Sequence, residues 1–246
     1  METKQPKAKK AKKESKGFRG IESAFLVIVV CFIIAVCIYT FILGDVNNFT
    51  DATKAEPKPG NMLGTIYKGG IIVPVLQTLL LTVLVLSIER AFAIMTAKGK
   101  GSLTKFVANV KAALAANDLA KAQEYCDKQR GSVGSVVTSA LKKYAEMENN
   151  TELTKEQKLA SIQKEVEEAT ALELPTLEMN LAVIATMTTL GTLVGLLGTV
   201  LGMIRSFAAL ATATGAPDSV ALSTGISEAL VNTAFGIATG ACAVIS

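Results

Sequence analysis

Glu228 is the one charged side chain between Ser219 and Ser246, a stretch made otherwise almost wholly of apolar, small and hydroxylated residues. A charge near the centre of a bilayer costs about 2.5–3.5 kcal/mol on insertion scales, so an acid in such a run needs a partner or water and is a candidate for ion handling. Two plainer settings stay open for it: the membrane interface, or an ion pair with Arg205, the cation at the corresponding end of the preceding apolar run. In that run Thr188, Thr192, Gly195, Thr199, Gly202 and Ser206 recur at steps of three and four, which puts them on one stripe of a helix. Gly191, Gly195, Gly198 and Gly202 form an adjoining stripe, and the last run adds Thr233, Gly236, Thr239 and Gly240. Small faces of this kind let helix backbones approach closely, so the plainer reading of the glycines is packing alone.

Little else in the chain could do covalent chemistry. Histidine, the commonest general base and metal ligand, is absent. The four cysteines, at positions 31, 37, 126 and 242, show no metal-like spacing and read as small apolar fillers. No metal, cofactor or enzymatic activity is expected.

The elements that must position these residues follow from the hydrophobic pattern. Half of the 246 residues are apolar and only 19% are charged, and the apolar ones lie in blocks. Ala24–Leu43 and Gly69–Ile88 are uncharged runs of twenty residues each, and Met179–Ile204 and Ala229–Ser246 are two further blocks. At about 1.5 Å per residue, twenty helical residues cross a hydrocarbon core of roughly 30 Å. Without the alternation of barrel strands, these runs must be helices, which satisfy their own backbone in lipid. The first run is about twice as long as the apolar part of a secretory signal and lacks a convincing cleavage site, so it reads as a span.

The reading is an all-α membrane protein with four transmembrane helices and a helical cytoplasmic region. Its parts are a basic cytoplasmic tail (1–20), spans at 21–43, 69–95, 178–208 and 224–246, periplasmic loops at 44–68 and 209–223, and the cytoplasmic region at 96–177. Residues 1–20 hold seven Lys and one Arg, and 89–178 hold eleven Lys and two Arg. Residues 44–68 hold three Lys against three acids, and 206–227 hold no basic residue. Basic residues stay cytoplasmic, so both termini are expected inside and the Lys-rich start is a tail on an anionic membrane face, not a nucleic-acid binder.

In the cytoplasmic region, Ser102 and Asp118 are candidate helix starts, Val136 to Tyr144 mark a third helix, and Thr154 with Gln157 fits a capping box. Leu159, Ile162, Val166 and Ala169 then run on one face toward Met179, suggesting one long helix that Pro175 should bend.

Gly195-Leu-Leu-Gly198-Thr199-Val-Leu-Gly202-Met203, followed by Gly225-Ile-Ser-Glu228-Ala-Leu-Val-Asn-Thr233-Ala-Phe-Gly236, resembles the signature of the MotA/TolQ/ExbB proton-channel family, nearest to its ExbB and TolQ branch. The likeness runs from about Leu181 to the C-terminus, with weaker agreement at Ser87-Ile-Glu89-Arg90. It implies a homopentamer in the bacterial inner membrane, arranged around a central pore that holds a dimer of a single-span ExbD/TolR-like partner. By position it makes Thr199, Glu228 and Thr233 pore residues, with Thr188 and Thr192 on the same stripe, and puts the essential aspartate on the partner. Protons, in preference to sodium, would turn one component against the other and so energise outer-membrane transport with a TonB-like protein. Tol-type envelope maintenance, motility and secretion are alternative outlets, and a passive scaffold is a reading from another class. The extra first span, Arg205 at the pore mouth and a fourth span that stops at Ser246, as if truncated, depart from the branch.

Overall fold

In a computed structural model, residues 24–54, 56–211 and 219–246 are described, and among them all regular structure is helical. The basic tail at 1–20 and the middle of the loop at 209–223 lie outside the described residues. Four helical stretches are long and apolar enough to cross a membrane: Ala24–Leu43, Ile72–Ala97, a part of Lys155–Ala211, and Val220–Ile245. The chain divides into two compact units, one within Ala93–Thr176 and one within Gly20–Phe92 and Leu177–Ser246.

In the second unit α1 (Ala24–Cys37) continues through a wider π-helical turn at Ile38–Leu43. A short 3-10 turn (Val46–Asn48) and α2 (Met62–Tyr67) lead to α3 (Ile72–Ala97), and α8 (Leu181–Ala211) and α9 (Ser219–Ile245) complete the unit. Val27 and Cys31 of α1 meet Val83 and Leu86 of α3, Ile184 and Met187 of α8 and Ala243 of α9 in one buried cluster. α1 turns only Val27, Cys31 and Ala35 inward, one residue per turn. Its other faces leave Phe25, Phe32 and Ile33 exposed, as a lipid-facing helix does.

The segment 44–68 reads in sequence as an irregular loop, and its asparagines instead give it a defined path. Asp45 accepts from the Asn47 N–H at 2.9 Å, and Asn48 Nδ2 donates to the carbonyls of Ile42 and Leu43. Asn61 caps α2 through Leu63 N and Gly64 N and donates to Asn48 Oδ1 at 3.1 Å. Tyr67 stacks on Tyr39 at 4.7 Å and meets the edge of Phe49 at 5.4 Å.

The first unit contains α4 (Leu103–Ala115), α5 (Leu119–Gln129) and α6 (Gly131–Glu148), closed on Phe106, Val110, Ala113, Ala122, Cys126 and Leu141. Asp118 caps α5 through the Lys121 N–H at 2.9 Å, whereas Ser102 stands at the start of α4 without a side-chain cap bond. α7 (Lys155–Glu178) opens on a reciprocal capping box, with Thr154 N donating to Gln157 Oε1 and Gln157 N to Thr154 Oγ1. Pro175 sits inside α7, and the helical path is broken instead at Met179–Asn180, where Asn180 takes a left-handed φ of 66°. Asparagine tolerates that conformation, which ends a helix outright, while proline in a helix removes a single bond.

Candidate functional site

α8 and α9 run antiparallel, and the glycines decide how closely. A Cβ on Gly195 would stand 3.0 Å from the Gly236 Cα, one on Gly202 would stand 2.7 Å from the Gly225 carbonyl oxygen, and one on Gly236 would stand 2.7 Å from the Gly191 carbonyl oxygen. Gly191 and Gly198 face Thr239 and Asn232 at comparable distances, and Gly240 lies against Thr192. All six predicted packing glycines therefore lie in the contact between two helices of the same chain. A scaffold that clusters a partner through these faces would find them already covered.

The threonines flank this face. Thr199 and Thr233 meet across the two helices, hydroxyl to hydroxyl at 2.5 Å, with one of them donating to the other and the accepting hydroxyl free to donate to the carbonyl four residues back in its own helix. Thr188 is half-buried and Thr192 exposed, and both hydroxyls bond backbone carbonyls of α8.

Glu228 lies elsewhere. Five residues separate it from Thr233, which is about 140° of helical rotation at 3.6 residues per turn, so the two side chains occupy opposite edges of the buried face of α9. Arg205 Nη1, near the end of α8, donates to both carboxylate oxygens of Glu228, at 2.5 and 2.8 Å. The pair is unequal: the Glu228 side chain is 5% exposed and that of Arg205 57%. Gly70, with φ of 77°, lets the start of α3 pass directly over the carboxylate, where a Cβ would come 2.5 Å from Oε1. Beside the pair is a cavity of about 420 Å³ lined by Tyr39, Tyr67, Lys68, Arg205, Thr224 and Glu228 among others. A second cavity of about 310 Å³ is lined by Glu56, Thr65, Lys68, Ser223, Thr224 and Ser227 among others.

The structure thus joins Thr199 to Thr233 and Arg205 to Glu228, and does not join the acid to the threonines. Three buried polar features were not singled out as site residues in the sequence. Asn232, one turn beyond Glu228 and fully buried, donates to the Gly69 carbonyl at 3.0 Å and so ties α9 to the start of α3. Its polarity in an apolar span was the available signal. Gln77 and Thr82 of α3 are buried, and no protein partner is found among the described residues for Gln77 Oε1 or Thr82 Oγ1. Farther along α3, Arg90 grips Glu89 through Nε at 2.7 Å and Nη2 at 2.5 Å, with both side chains buried. A buried pair of this kind holds its charges because each neutralises the other and the remaining donors are satisfied locally. No group of three or more His, Cys, Asp or Glu residues among the described residues is placed to hold a metal.

Residues 132–246 match the sequence model of the MotA/TolQ/ExbB proton channel family. A Synechocystis protein named ExbB-like 3 is 42% identical over 73 residues, which are 29% of this chain and 35% of that protein. The match thus spans about a third of the relative's length.

Proposed function

We propose that the chain, whose residues 132–246 match the MotA/TolQ/ExbB proton channel family and which shares 42% identity over 73 residues with an ExbB-like protein, is a motor subunit of that family converting proton-motive force into mechanical work. The four apolar helices and the family match together make it a multi-pass membrane protein. The finer reading is a pentamer in the bacterial inner membrane around a dimer of a single-span ExbD/TolR-like partner, with both termini of the chain cytoplasmic. Work delivered through the partner energises outer-membrane transport of the TonB type.

The observation that carries this reading is the Glu228 carboxylate, buried in an otherwise uncharged helix, held by Arg205 and bordered by a cavity large enough for several waters. A group so placed can take up and release a proton without a metal or cofactor, and Arg205 supplies the charge that balances it when ionised. The half-buried Thr199 and Thr233 pair supplies hydroxyls at the edge of the same helix pair, toward the axis of the assembly. Each charge that crosses 100 mV delivers about 2.3 kcal/mol, several times RT, which suffices for one small step per ion.

Proton flux into cells or proteoliposomes holding the chain with its partner tests the proposal. Glu228→Gln combined with Thr199→Ala is expected to lower flux at least tenfold. Unchanged flux and unchanged transport would remove the proposed pathway.

A further inference from the structure

The two cavities near Glu228 share two lining residues, Lys68 and Thr224, so they lie on either side of those side chains. Together they run from Glu56, Ser223 and Ser227 inward to Tyr39, Arg205 and Glu228, all within one protomer and on the face of α9 opposite the Thr199–Thr233 edge. The end of the bundle involved is the one carrying residues 44–68, which the distribution of Lys and Arg puts outside the cell.

We infer that the two cavities join into an aqueous vestibule inside each protomer, which brings water to Glu228 from the periplasmic side and which Arg205 and Lys68 make selective against alkali cations. The charges argue for it. The inner cavity holds two cationic side chains, Arg205 and Lys68, against the single carboxylate of Glu228, whereas in the outer cavity Glu56 balances Lys68. Both oxygens of that carboxylate already accept from the guanidinium, so a sodium ion would have to share them with a cation at contact distance and meets two like charges. The excess positive charge of the inner cavity, between low-dielectric walls, disfavours an arriving cation and favours an anion. A proton needs no such coordination, since it moves along water and can be accepted at a carboxylate lone pair that the guanidinium leaves open. Tyr39 and Tyr67, stacked on one another, form the wall on the α1 side, so the first span takes part in the vestibule.

The functional meaning of the vestibule rests on Glu228 as the proton-exchanging group, but its existence can be tested apart from flux. In the full chain with Cys31, Cys37, Cys126 and Cys242 replaced by Ser, Thr224→Cys is exposed to membrane-impermeant methanethiosulfonates on right-side-out spheroplasts. The anionic sulfonatoethyl reagent is expected to react at least tenfold faster than the cationic trimethylammonioethyl reagent. Leu230→Cys, on the lipid side of α9, should stay unlabelled by either. Lys68→Gln should narrow the ratio between the reagents, and Lys68→Gln with Arg205→Gln should bring it near one. Ser227→Cys, in the outer cavity, repeats the measurement if Thr224→Cys does not accumulate. Absence of labelling at both positions, or equal rates for the two reagents in the unmodified charge background, overturns the vestibule. Charge-selective labelling together with unchanged flux in Glu228→Gln would leave the vestibule standing and remove the motor reading instead.

Discussion

The α8–α9 pair and the α4–α6 unit are both helix packings in one chain, yet they are held by opposite means. In α8–α9 the buried faces are Gly191, Gly195, Gly198 and Gly202 against Gly225, Ala229, Asn232 and Gly236, so backbone lies on backbone. In α4–α6 the buried face is Phe106, Val110, Cys126 and Leu141, so large side chains interdigitate. Lipid tails are as apolar as leucine, and burying leucine from lipid gains little, so close van der Waals contact and interhelical hydrogen bonds must do the work. Water penalises exposed apolar area at about 25 cal/mol per Å², and there the larger side chain stabilises more.

Four substitutions test that contrast. The largest effect is expected from Phe106→Ala, which should destabilise α4–α6 by about 3–5 kcal/mol through a cavity that cannot fully collapse. Hydrogen exchange in the full chain would show it as lost protection confined to α4–α6. Adding volume in the other region should do what removing it does here: Gly202→Leu is expected to cost about 1–3 kcal/mol or more, because the Gly225 carbonyl and the Ala229 amide that it would strike are backbone and cannot rotate away. Unchanged protease resistance of α8–α9 in that variant would show that the close approach is not needed. Asp118→Ala should cost about 1 kcal/mol, since the Lys121 N–H loses its acceptor, and should melt the first turn of α5 by the same exchange measurement.

The smallest effect concerns pH. Burial, aided by Asp127, raises the Cys126 thiol above its ordinary value, and a hydrogen bond with Thr138 partly offsets the rise. The folded state then holds this proton more tightly than the unfolded one. Its contribution to α4–α6 is therefore complete below the ordinary thiol pKa and declines as pH rises toward the raised value. Denaturation of Cys126→Ala should lack that decline, and alkylation of Cys126 in the native chain should speed up only at more alkaline pH than for a free thiol.

Much of the architecture was legible because it depends on one-dimensional features. Uncharged runs of about twenty residues mark spans whatever their neighbours, and Thr154 with Gln157 or Asp118 with Lys121 N are local contacts that spacing alone can specify. What stayed hidden depends on which of two faces a residue takes. Glu228 and Thr233 look like neighbours in sequence and are separated by the pitch of the helix. The break at Asn180 escaped because proline is the loudest helix breaker in a sequence, while an asparagine in a left-handed conformation leaves no such mark. Asn232 escaped because its partner, the Gly69 carbonyl, lies 163 residues away. The order of 44–68 was concealed by the asparagines themselves, which suggest irregularity in sequence and supply the loop's own hydrogen bonds in space.

The stack of Tyr39 on Tyr67 has one more implication, for anyone who shortens this protein. Trimming away everything before Gly44 would spare the paired threonines and the glycine seam, yet it would strip the shelf on which the loop's last aromatic rests and bare Val83 and Leu86 to lipid. Such a shortened chain should still fold its α8–α9 hairpin while losing the cover that the leading helix lays over α3.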